Sequence, residues 1–285
     1  MRVIDAGLVL AWLLAPSVGA AQPAQPDSAE IVYVGNEGFF LSYAGRGVLV
    51  DALVRRGVPP YVRAPQVQRE ALETAAPPFD RVALVLATHD HADHFDPAAV
   101  WRHLDHNEYA VFVSTPRAVQ RVKVTPSTAA IEERLYGTLP AEGQRAKFAV
   151  EGIDLDVLNL HHGRQRDPPV ANVGFLIDIE GFRVVHLGDT EVPVEELLDY
   201  GLAQESIDVA FVPYWQLMGD DGKRLVEEAL NPRYVVAMHI PAGNASASYF
   251  EPATSLGDLV NQLREVHPGV IILQDPFDTV KIAAR

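Results

Sequence analysis

One short segment, residues 88–96, constrains the fold of this chain more than any other. It reads Thr-His-Asp-His-Ala-Asp-His-Phe-Asp and places His89, His91, Asp93 and His94 within six positions. The apolar, β-branched run at 81–87 before it predicts a buried strand. Asp96-Pro97 after it predicts a helix N-cap followed by proline at the first helical position. The segment is therefore predicted to be a loop whose rigid flanks hold several side chains around one point.

The residue types of this loop indicate metal binding. Imidazole and carboxylate are the ligands that zinc and iron take from proteins, and a site with an open coordination position can activate water. A polar loop that is rich in histidine by composition alone is the alternative. Three histidines interleaved with acids in so short a segment disfavour it.

The pattern His-x-His-x-Asp-His resembles the signature of the metallo-β-lactamase superfamily of metal-dependent hydrolases. Three later segments resemble that family in the expected order, and each follows a strand-like run. They are His161-His162-Gly163, His186-Leu187-Gly188-Asp189-Thr190 and Ala237-Met238-His239-Ile240-Pro241. The resemblance covers about residues 31–280. Its first motif is highly specific, whereas the later ones carry weight only as an ordered set.

The resemblance implies a pair of metal ions and a role for each ligand. One ion would be bound by His89, His91 and a histidine of the 161–162 pair, the other by Asp93, His94 and His239, with Asp189 bridging the two. It also implies catalytic roles for Asp189, which would hold the metal pair, and for Asp93, which would orient the attacking hydroxide or accept its proton. Zinc is favoured, because the superfamily's oxygen-reducing di-iron members have glutamate where this chain has His91. Iron or manganese also suits these ligands.

Several neighbouring side chains have two interpretations. Only one of His161 and His162 can face a metal from a strand, because adjacent residues point to opposite faces. Related sequences place the ligand before a glycine or small residue, which favours His162, but both are free if the strand ends earlier. His186 is expected to orient a neighbour or to pack, and Asp90 has at most a proton-shuttling role. Tyr214 and Trp215 line the substrate pocket or belong to the core.

Composition bounds the class of protein. The chain has 285 residues, is 48% hydrophobic and carries a net charge of −15. It is long enough for a large core, and its acidity disfavours binding to nucleic acid or anionic membranes. A local basic pocket is still compatible with Arg117, Arg121 and Lys123, although a solvated helix face explains them as well. The absence of cysteine excludes thiolate metal ligands.

The N-terminus predicts export. Arg2 precedes an apolar run at 7–15, which is short for a membrane span, and Val18-Gly-Ala20 offers small residues for cleavage. We therefore expect a signal peptide at 1–21, a tether at 22–29 and one hydrolase domain at 30–285, with a periplasmic or secreted location. An uncleaved N-terminal anchor is the alternative. No other stretch is apolar enough to cross a membrane, so the mature chain is expected to have no transmembrane segment.

Periodicity predicts an α/β fold. Strands are expected at 31–34, 38–43, 47–51, 81–87, 110–114, 149–160, 173–179, 183–187, 209–212 and 270–273. Helices are expected at 97–104, 116–122, 193–200, 223–229 and 255–266. Two β-rich halves with helices on their outer faces follow from this order. The resemblance implies the same arrangement, an αββα four-layer sandwich with the metals where the two sheets meet.

The function expected from these residues is that of an exported hydrolase with two metal ions. A hydroxide formed from a metal-bound water would attack an ester, lactone or phosphodiester of a small-molecule substrate. An iron-dependent sulfur dioxygenase, with related ligands, is one alternative, and a metal-binding protein without turnover is another. The sequence does not specify the substrate or the oligomeric state.

Overall fold

A computed structural model of the protein describes residues 27–125, 130–162, 170–242 and 255–285. The predicted signal peptide and the tether up to residue 26 lie outside the described residues, as does Gly163. The first strand begins at Ser28, so regular structure starts slightly before the predicted domain boundary at residue 30.

The strands of the described ranges fall into two sheets. In chain order they are β1 (Ser28–Gly35), β2 (Gly38–Tyr43), β3 (Arg46–Val50), β4 (Val82–Ala87), β5 (Val111–Ser114), β6 (Leu135–Gly137), β7 (Arg145–Val150), β8 (Ile153–Asn159), β9 (Val173–Ile179), β10 (Phe182–His186), β11 (Val209–Pro213), β12 (Tyr234–Met238), β13 (Ile271–Ile272) and β14 (Thr279–Ala283). One sheet has the order β14-β1-β2-β3-β4-β5-β6, and the other has the order β13-β12-β11-β10-β9-β8-β7.

The two sheets are built alike. In each, antiparallel strands along one side give way to parallel ones: β3 to β6 in the first sheet, β10 to β13 in the second. Ligands bind at the carboxyl ends of parallel strands in α/β folds. The predicted metal-binding segments after β4, β10 and β12 all lie at such ends, which explains how distant parts of the chain converge.

Helices cover the outer face of each sheet. They are α1 (Gln66–Glu73), α2 (Pro97–His106), α3 (Pro116–Lys123), α4 (Val194–Asp199), α5 (Gly219–Arg224) and α6 (Leu256–Val266). The central core joins the inner faces of both sheets, for example Val50, Phe39 and Phe211. Separate apolar clusters join the first sheet to α1–α3 and the second sheet to α4 and α6. These layers confirm the predicted αββα sandwich.

The segment before the metal-ligand loop folds as predicted. All six residues of β4 are buried, as expected for a central parallel strand. Asp96 caps α2 by accepting from the backbone N–H groups of Ala98 and Ala99, each at 3.0 Å, and Pro97 occupies the first turn.

Some elements differ from the prediction. The single strand expected at 149–160 is a hairpin, β7–β8, which turns at Glu151 and Gly152, both with positive φ. The helix expected at 223–229 is α5 continued by a π-helical segment, Leu225–Leu230. Strands β6 and β14 and helix α1 had no sequence prediction. Within the described ranges, none of the helices is long and apolar enough to cross a membrane.

Candidate metal centre

Four segments bring their polar side chains together at one edge of the sandwich. The loop after β4 supplies His89, His91, Asp93 and His94; the segments after β8, β10 and β12 supply His162, Asp189 and His239. These are all seven of the residues that the sequence predicted as metal ligands. Their potential ligand atoms form two groups, and in each group the atoms lie within 4.8 Å of one another.

The first group consists of His89, His91, His162 and Asp189. Nε2 of His89 lies 2.9 Å from Nδ1 of His91. Oδ2 of Asp189 lies 3.8 Å from Nε2 of His89 and 3.8 Å from Nε2 of His162. Three imidazoles and one carboxylate oxygen therefore face a common point, which is a usual donor set for a tetrahedral ion.

The second group consists of Asp93, His94 and His239, and the other oxygen of Asp189 adjoins it. Oδ1 of Asp189 lies 3.4 Å from Nε2 of His94 and 3.3 Å from Nε2 of His239. Oδ2 of Asp93 is 3.6 Å and 3.7 Å from the same two nitrogens. The two oxygens of Asp189 thus face different groups, the arrangement of a bridging carboxylate.

The position of Asp189 depends on the chain around it. Its backbone N–H donates to Oδ1 of the buried Asn172 at 3.2 Å, and the Asn172 amide donates to the carbonyls of Leu160 and Leu187. Gly188 has a φ of +59°, and a Cβ there would lie 2.4 Å from Asn172 Oδ1. Glycine is therefore required immediately before Asp189.

Buried polar groups orient His94 from behind. Oδ2 of Asp51 lies 2.8 Å from Nδ1 of His94 and accepts from Thr88 Oγ1 at 2.7 Å, while Oδ1 accepts from the Thr88 N–H at 2.8 Å. Thr88 Oγ1 is also 3.0 Å from Nδ1 of His89. A carboxylate behind a ligand histidine fixes its ring and tautomer. Asp51 was predicted only as a strand end; its signal was an acidic residue at the end of a buried strand.

Glu37 is the most unusual side chain of the site. It is fully buried, and within the described part of the chain neither carboxyl oxygen has a hydrogen-bond partner. It forms a close group with His94 and Asp189. Burial raises the pKa of Glu37 well above its usual range, and the adjacent Asp189 carboxylate raises it further. No motif in the sequence pointed to Glu37 as part of the site.

The pKa shifts of the first group favour the forms that bind metal. Burial, aided by His94, lowers the pKa of His89 well below its usual range, and burial, aided by His162, lowers the pKa of His91. Burial acts to raise the pKa of Asp189, but His239 and His94 outweigh it and hold that pKa well below the usual range. Neutral imidazole and ionised carboxylate are the ligand forms.

The second group attracts positive charge. Burial acts to lower the pKa of His94, but Asp189, Asp51 and Asp93 together raise it well above its usual range. Oδ1 of Asp189 and both ring nitrogens of His239 are buried without a hydrogen-bond partner among the residues that the structure describes. Buried polar atoms without partners are costly. A bound cation would provide a partner for these potential ligand atoms, so the residues present fit a metal pair.

The structure distinguishes between the interpretations that the sequence left open for several side chains. His162 faces Asp189, whereas Nδ1 of His161 lies 4.0 Å from Glu142. Nε2 of His186 donates to the Glu37 carbonyl, and its Nδ1 accepts from the Gly188 N–H. Because both ring nitrogens are bonded to the backbone, His186 orients the site without facing it. The carboxylate of Asp90 forms ion pairs with Arg117 and Arg121.

The remaining candidates lie around His239. Trp215 is half-buried, its ring 4.9 Å from that of His239, and its Nε1 donates to the Thr190 carbonyl at 2.9 Å. Tyr61 packs on His239 at 4.0 Å, while Tyr214 belongs to the apolar core. His239 has a φ of +59°, an uncommon conformation for a residue with a side chain. His103 and His267 contact backbone carbonyls, and no chemistry is assigned to them.

Comparison with known proteins adds a family and a fold. A family model described as a beta-lactamase superfamily domain matches residues 46–243. A protein of Polaromonas sp. named UPF0173 metal-dependent hydrolase is 26% identical over an alignment of 279 positions, which covers 92% of this chain and 96% of that protein.

Solved structures share the architecture. The metallo-beta-lactamase fold protein YhfI from Bacillus subtilis is similar with a TM-score of 0.60 at 13% identity, covering 90% of this chain and 100% of that one. CmlA, a diiron beta-hydroxylase from Streptomyces venezuelae, is similar with a TM-score of 0.59 at 16% identity, covering 91% of this chain and 55% of that one. At such identities the likeness shows the fold alone.

Proposed function

The chain belongs to the metallo-β-lactamase superfamily, and from this premise we propose that it is a hydrolase that uses two divalent metal ions. The observation that carries the proposal is Asp189, whose two oxygens face two separate groups of ligand atoms. The name of the Polaromonas relative, a metal-dependent hydrolase, supports the same reaction class. The bond cleaved is an ester, a lactone or a phosphodiester.

Each predicted ligand is assigned to one or both of the two ions. His89, His91 and His162 would hold one ion, Asp93, His94 and His239 would hold the other, and Asp189 would hold both. When bound, such a pair supplies an activated water and polarises the substrate oxygen. The Asn36 amide donates to Oδ2 of Asp93 at 3.3 Å, and Asp93 would orient that water or accept its proton. Tyr61 and Trp215 form an apolar wall beside His239.

Metal analysis and a substrate panel test this proposal together. Protein stripped with a chelator and reloaded with zinc should bind about two ions per chain, because the ligands are too many for one tetrahedral ion. It should then hydrolyse at least one member of a panel of lactones, phosphodiesters and β-lactams. His91→Ala should lose one ion and most turnover, whereas His106→Ala, at an exposed helical position, should keep both. A stoichiometry that stays at one under zinc saturation would overturn the dinuclear assignment.

Iron-dependent oxygen chemistry is the second candidate. Imidazole and carboxylate ligands also suit iron, and CmlA is a diiron protein of the same fold. Zinc is preferred here because the first group contains three imidazoles. Iron as the main metal of freshly purified protein, with oxygen consumption on thiol or sulfide substrates, would favour this candidate over hydrolysis.

We also propose that the protein is exported, to the periplasm or out of the cell. The apolar run at 7–15 and the small residues Val18-Gly-Ala20 support it. Intact-mass analysis of protein from cell fractions should find a chain that starts near Ala21 or Gln22. A full-length cytoplasmic species as the sole product would contradict this.

A further inference from the structure

A cleft of about 370 Å³ lies on the flank of the metal-ligand loop. Arg55, Arg56 and Arg121 line it together with Ala92 and Phe95. Asp96 is the one acidic residue of the lining, so the lining carries three positive charges and one negative charge. The lining itself is thus net positive in a chain with a net charge of −15, and the two carboxylates that balance Arg55 and Arg121 lie outside it.

Two of the arginines are anchored by carboxylates outside the cleft lining. Arg55 donates Nε and Nη2 to the buried Glu73 at 2.9 Å and 2.6 Å. Arg121 donates Nη1 to Asp90 Oδ2 at 3.2 Å, and its guanidinium carbon lies 5.2 Å from the centroid of the Phe95 ring. Each arginine uses only part of its donor set in this way. Within the described residues, Nη1 of Arg55 and Nε and Nη2 of Arg121 have no acceptor, so these groups are held in place and remain available.

Asp96, the acid of the lining, already has partners. Its Oδ1 accepts from two backbone N–H groups of α2 and lies 3.9 Å from Nε of Arg55. The exposed Arg56 contributes a guanidinium for which the described part of the chain holds no acceptor. The cleft therefore presents N–H donors from several arginines beside one acid whose Oδ1 caps α2, and these donors match the oxygens of a phosphate or carboxylate.

The cleft adjoins both groups of metal ligands. Ala92, which is exposed, stands between His91 of the first group and Asp93 of the second. Its Cα is therefore about 3.8 Å from the Cα of each of these ligands. The cleft thus borders the loop that carries ligands of both groups, which makes it a candidate part of the substrate site.

We propose that this cleft binds an oxyanion of the substrate, a phosphate or carboxylate group separate from the bond that is cleaved. The inference rests on the proposed hydrolase function and gives it a substrate class: anionic esters, in preference to neutral ones. A purely structural role for the arginines is the competing explanation. Arg134 illustrates such a role, because its guanidinium donates to three backbone carbonyls, whereas Arg56 makes no such contact among the described residues.

Matched chromogenic esters test the preference. The zinc-loaded protein would be assayed with 4-nitrophenyl butyrate, with the 4-nitrophenyl monoester of glutarate, and with a 4-nitrophenyl ester of similar length that carries a terminal phosphate. We expect kcat/KM to be about tenfold higher for an anionic ester than for the neutral one, as for one charge-assisted contact. The larger of the two ratios identifies the oxyanion.

Two charge-matched variants make the test specific. Arg56→Gln should reduce the preference ratio about tenfold. Arg264→Gln removes the same charge from an exposed position of α6 and should leave the ratio within about twofold of the wild type. Equal ratios in all three proteins, or an equal fall in both variants, would overturn the assignment.

Sulfate binding separates failure of the cleft from failure of the hydrolase. Calorimetric titration of the zinc-loaded protein with sulfate, at constant ionic strength, should show binding that Arg56→Gln weakens about tenfold and Arg264→Gln does not. If no ester is hydrolysed but this pattern holds, the oxyanion cleft stands and the hydrolase proposal falls. If esters are hydrolysed but neither sulfate binding nor the preference ratio depends on Arg56, the cleft assignment falls alone.

Discussion

The two groups of metal ligands share Asp189 but are supported in different ways. The first group is mostly imidazole, and Glu191, whose side chain is 32% exposed, lies next to it. The second group contains Asp93 and is backed by the fully buried carboxyls of Asp51 and Glu37. Burial and neighbouring histidines lower the pKa values of His89 and His91, whereas carboxylates raise that of His94.

This difference indicates that the two groups would bind their ions in different ways. A site made mainly of imidazoles binds its ion through ligand number and geometry, and solvent screens the partly exposed Glu191 behind it. A site with buried carboxyls behind it binds its ion through charge as well, because opposite charges interact more strongly in a low dielectric. Changes behind the second group should therefore alter metal affinity more than changes behind the first.

The largest effect is expected where the two groups meet. Asp189→Asn removes the charge and one of the two acceptor oxygens, so one chain should no longer hold two ions. Turnover should fall by at least about 10³-fold, since the metal pair contributes several kcal/mol. Elemental analysis should find at most one zinc per chain, with circular dichroism as the check on folding. Two tightly bound ions in this variant would show that the groups are independent.

The next largest effect concerns Asp51. In Asp51→Asn an amide nitrogen replaces the acceptor for His94 Nδ1 and Thr88 Oγ1. Stepwise zinc titration against a competing chelator should show one binding step weakened about 10- to 100-fold, the usual effect of an outer-shell carboxylate. The other step should change less, through the contact of Thr88 with His89. Asp154→Asn, on the exposed face of β8, serves as the control. Equal weakening of both steps would contradict the proposed difference between the two groups.

Glu37 should affect stability and metal affinity in opposite directions. Glu37→Gln replaces a buried carboxyl that has no partner in the described chain by an amide that can donate to Asp189. The metal-free protein should gain about 1 kcal/mol in its free energy of unfolding. The second group should bind zinc about tenfold more weakly, because a bound cation favours the ionised form of Glu37 and an amide cannot supply that negative charge. Urea unfolding and zinc titration measure the two effects, with Glu265→Gln on α6 as the exposed control. A loss of stability in the metal-free variant would show that Glu37 is satisfied in the fold.

Much of the site was predictable because its ligands are encoded locally. Histidine and aspartate follow strand-like runs at four places in the chain, and their resemblance to the superfamily's ordered motifs identified which of them are the predicted ligands. The structure brings all seven predicted ligands together, and their binding of metal stays a prediction. The sandwich was predictable for the same reason, since β4 and its capped helix α2 have strong local signals.

The supporting contacts were not predictable, because they depend on distant pairings. His186 was expected to orient a neighbour or to pack, but its partner, the Glu37 carbonyl, lies 149 positions away, and Asp51 reaches His94 across 43. Strand β14 adds to β1 at the edge of the first sheet, where its residues alternate only weakly in burial. The hairpin at 149–160 was read as one strand because Glu151 adopts a left-handed conformation that glutamate rarely takes.

The smallest effect is expected behind the first group, at Glu191. Its Oε1 lies 3.2 Å from Nδ1 of His162 without the hydrogen-bond geometry that Asp51 has to His94, and its side chain is 32% exposed. Water can replace part of a partly exposed contact, so Glu191→Gln should weaken one zinc step only about two- to fivefold. The same titration used for Asp51→Asn gives the comparison directly, and His161→Ala, whose side chain turns toward Glu142, is the neighbouring control. If Glu191→Gln weakened zinc binding as much as Asp51→Asn, burial would not be what separates the two groups, and geometry at the ligand histidine would explain both.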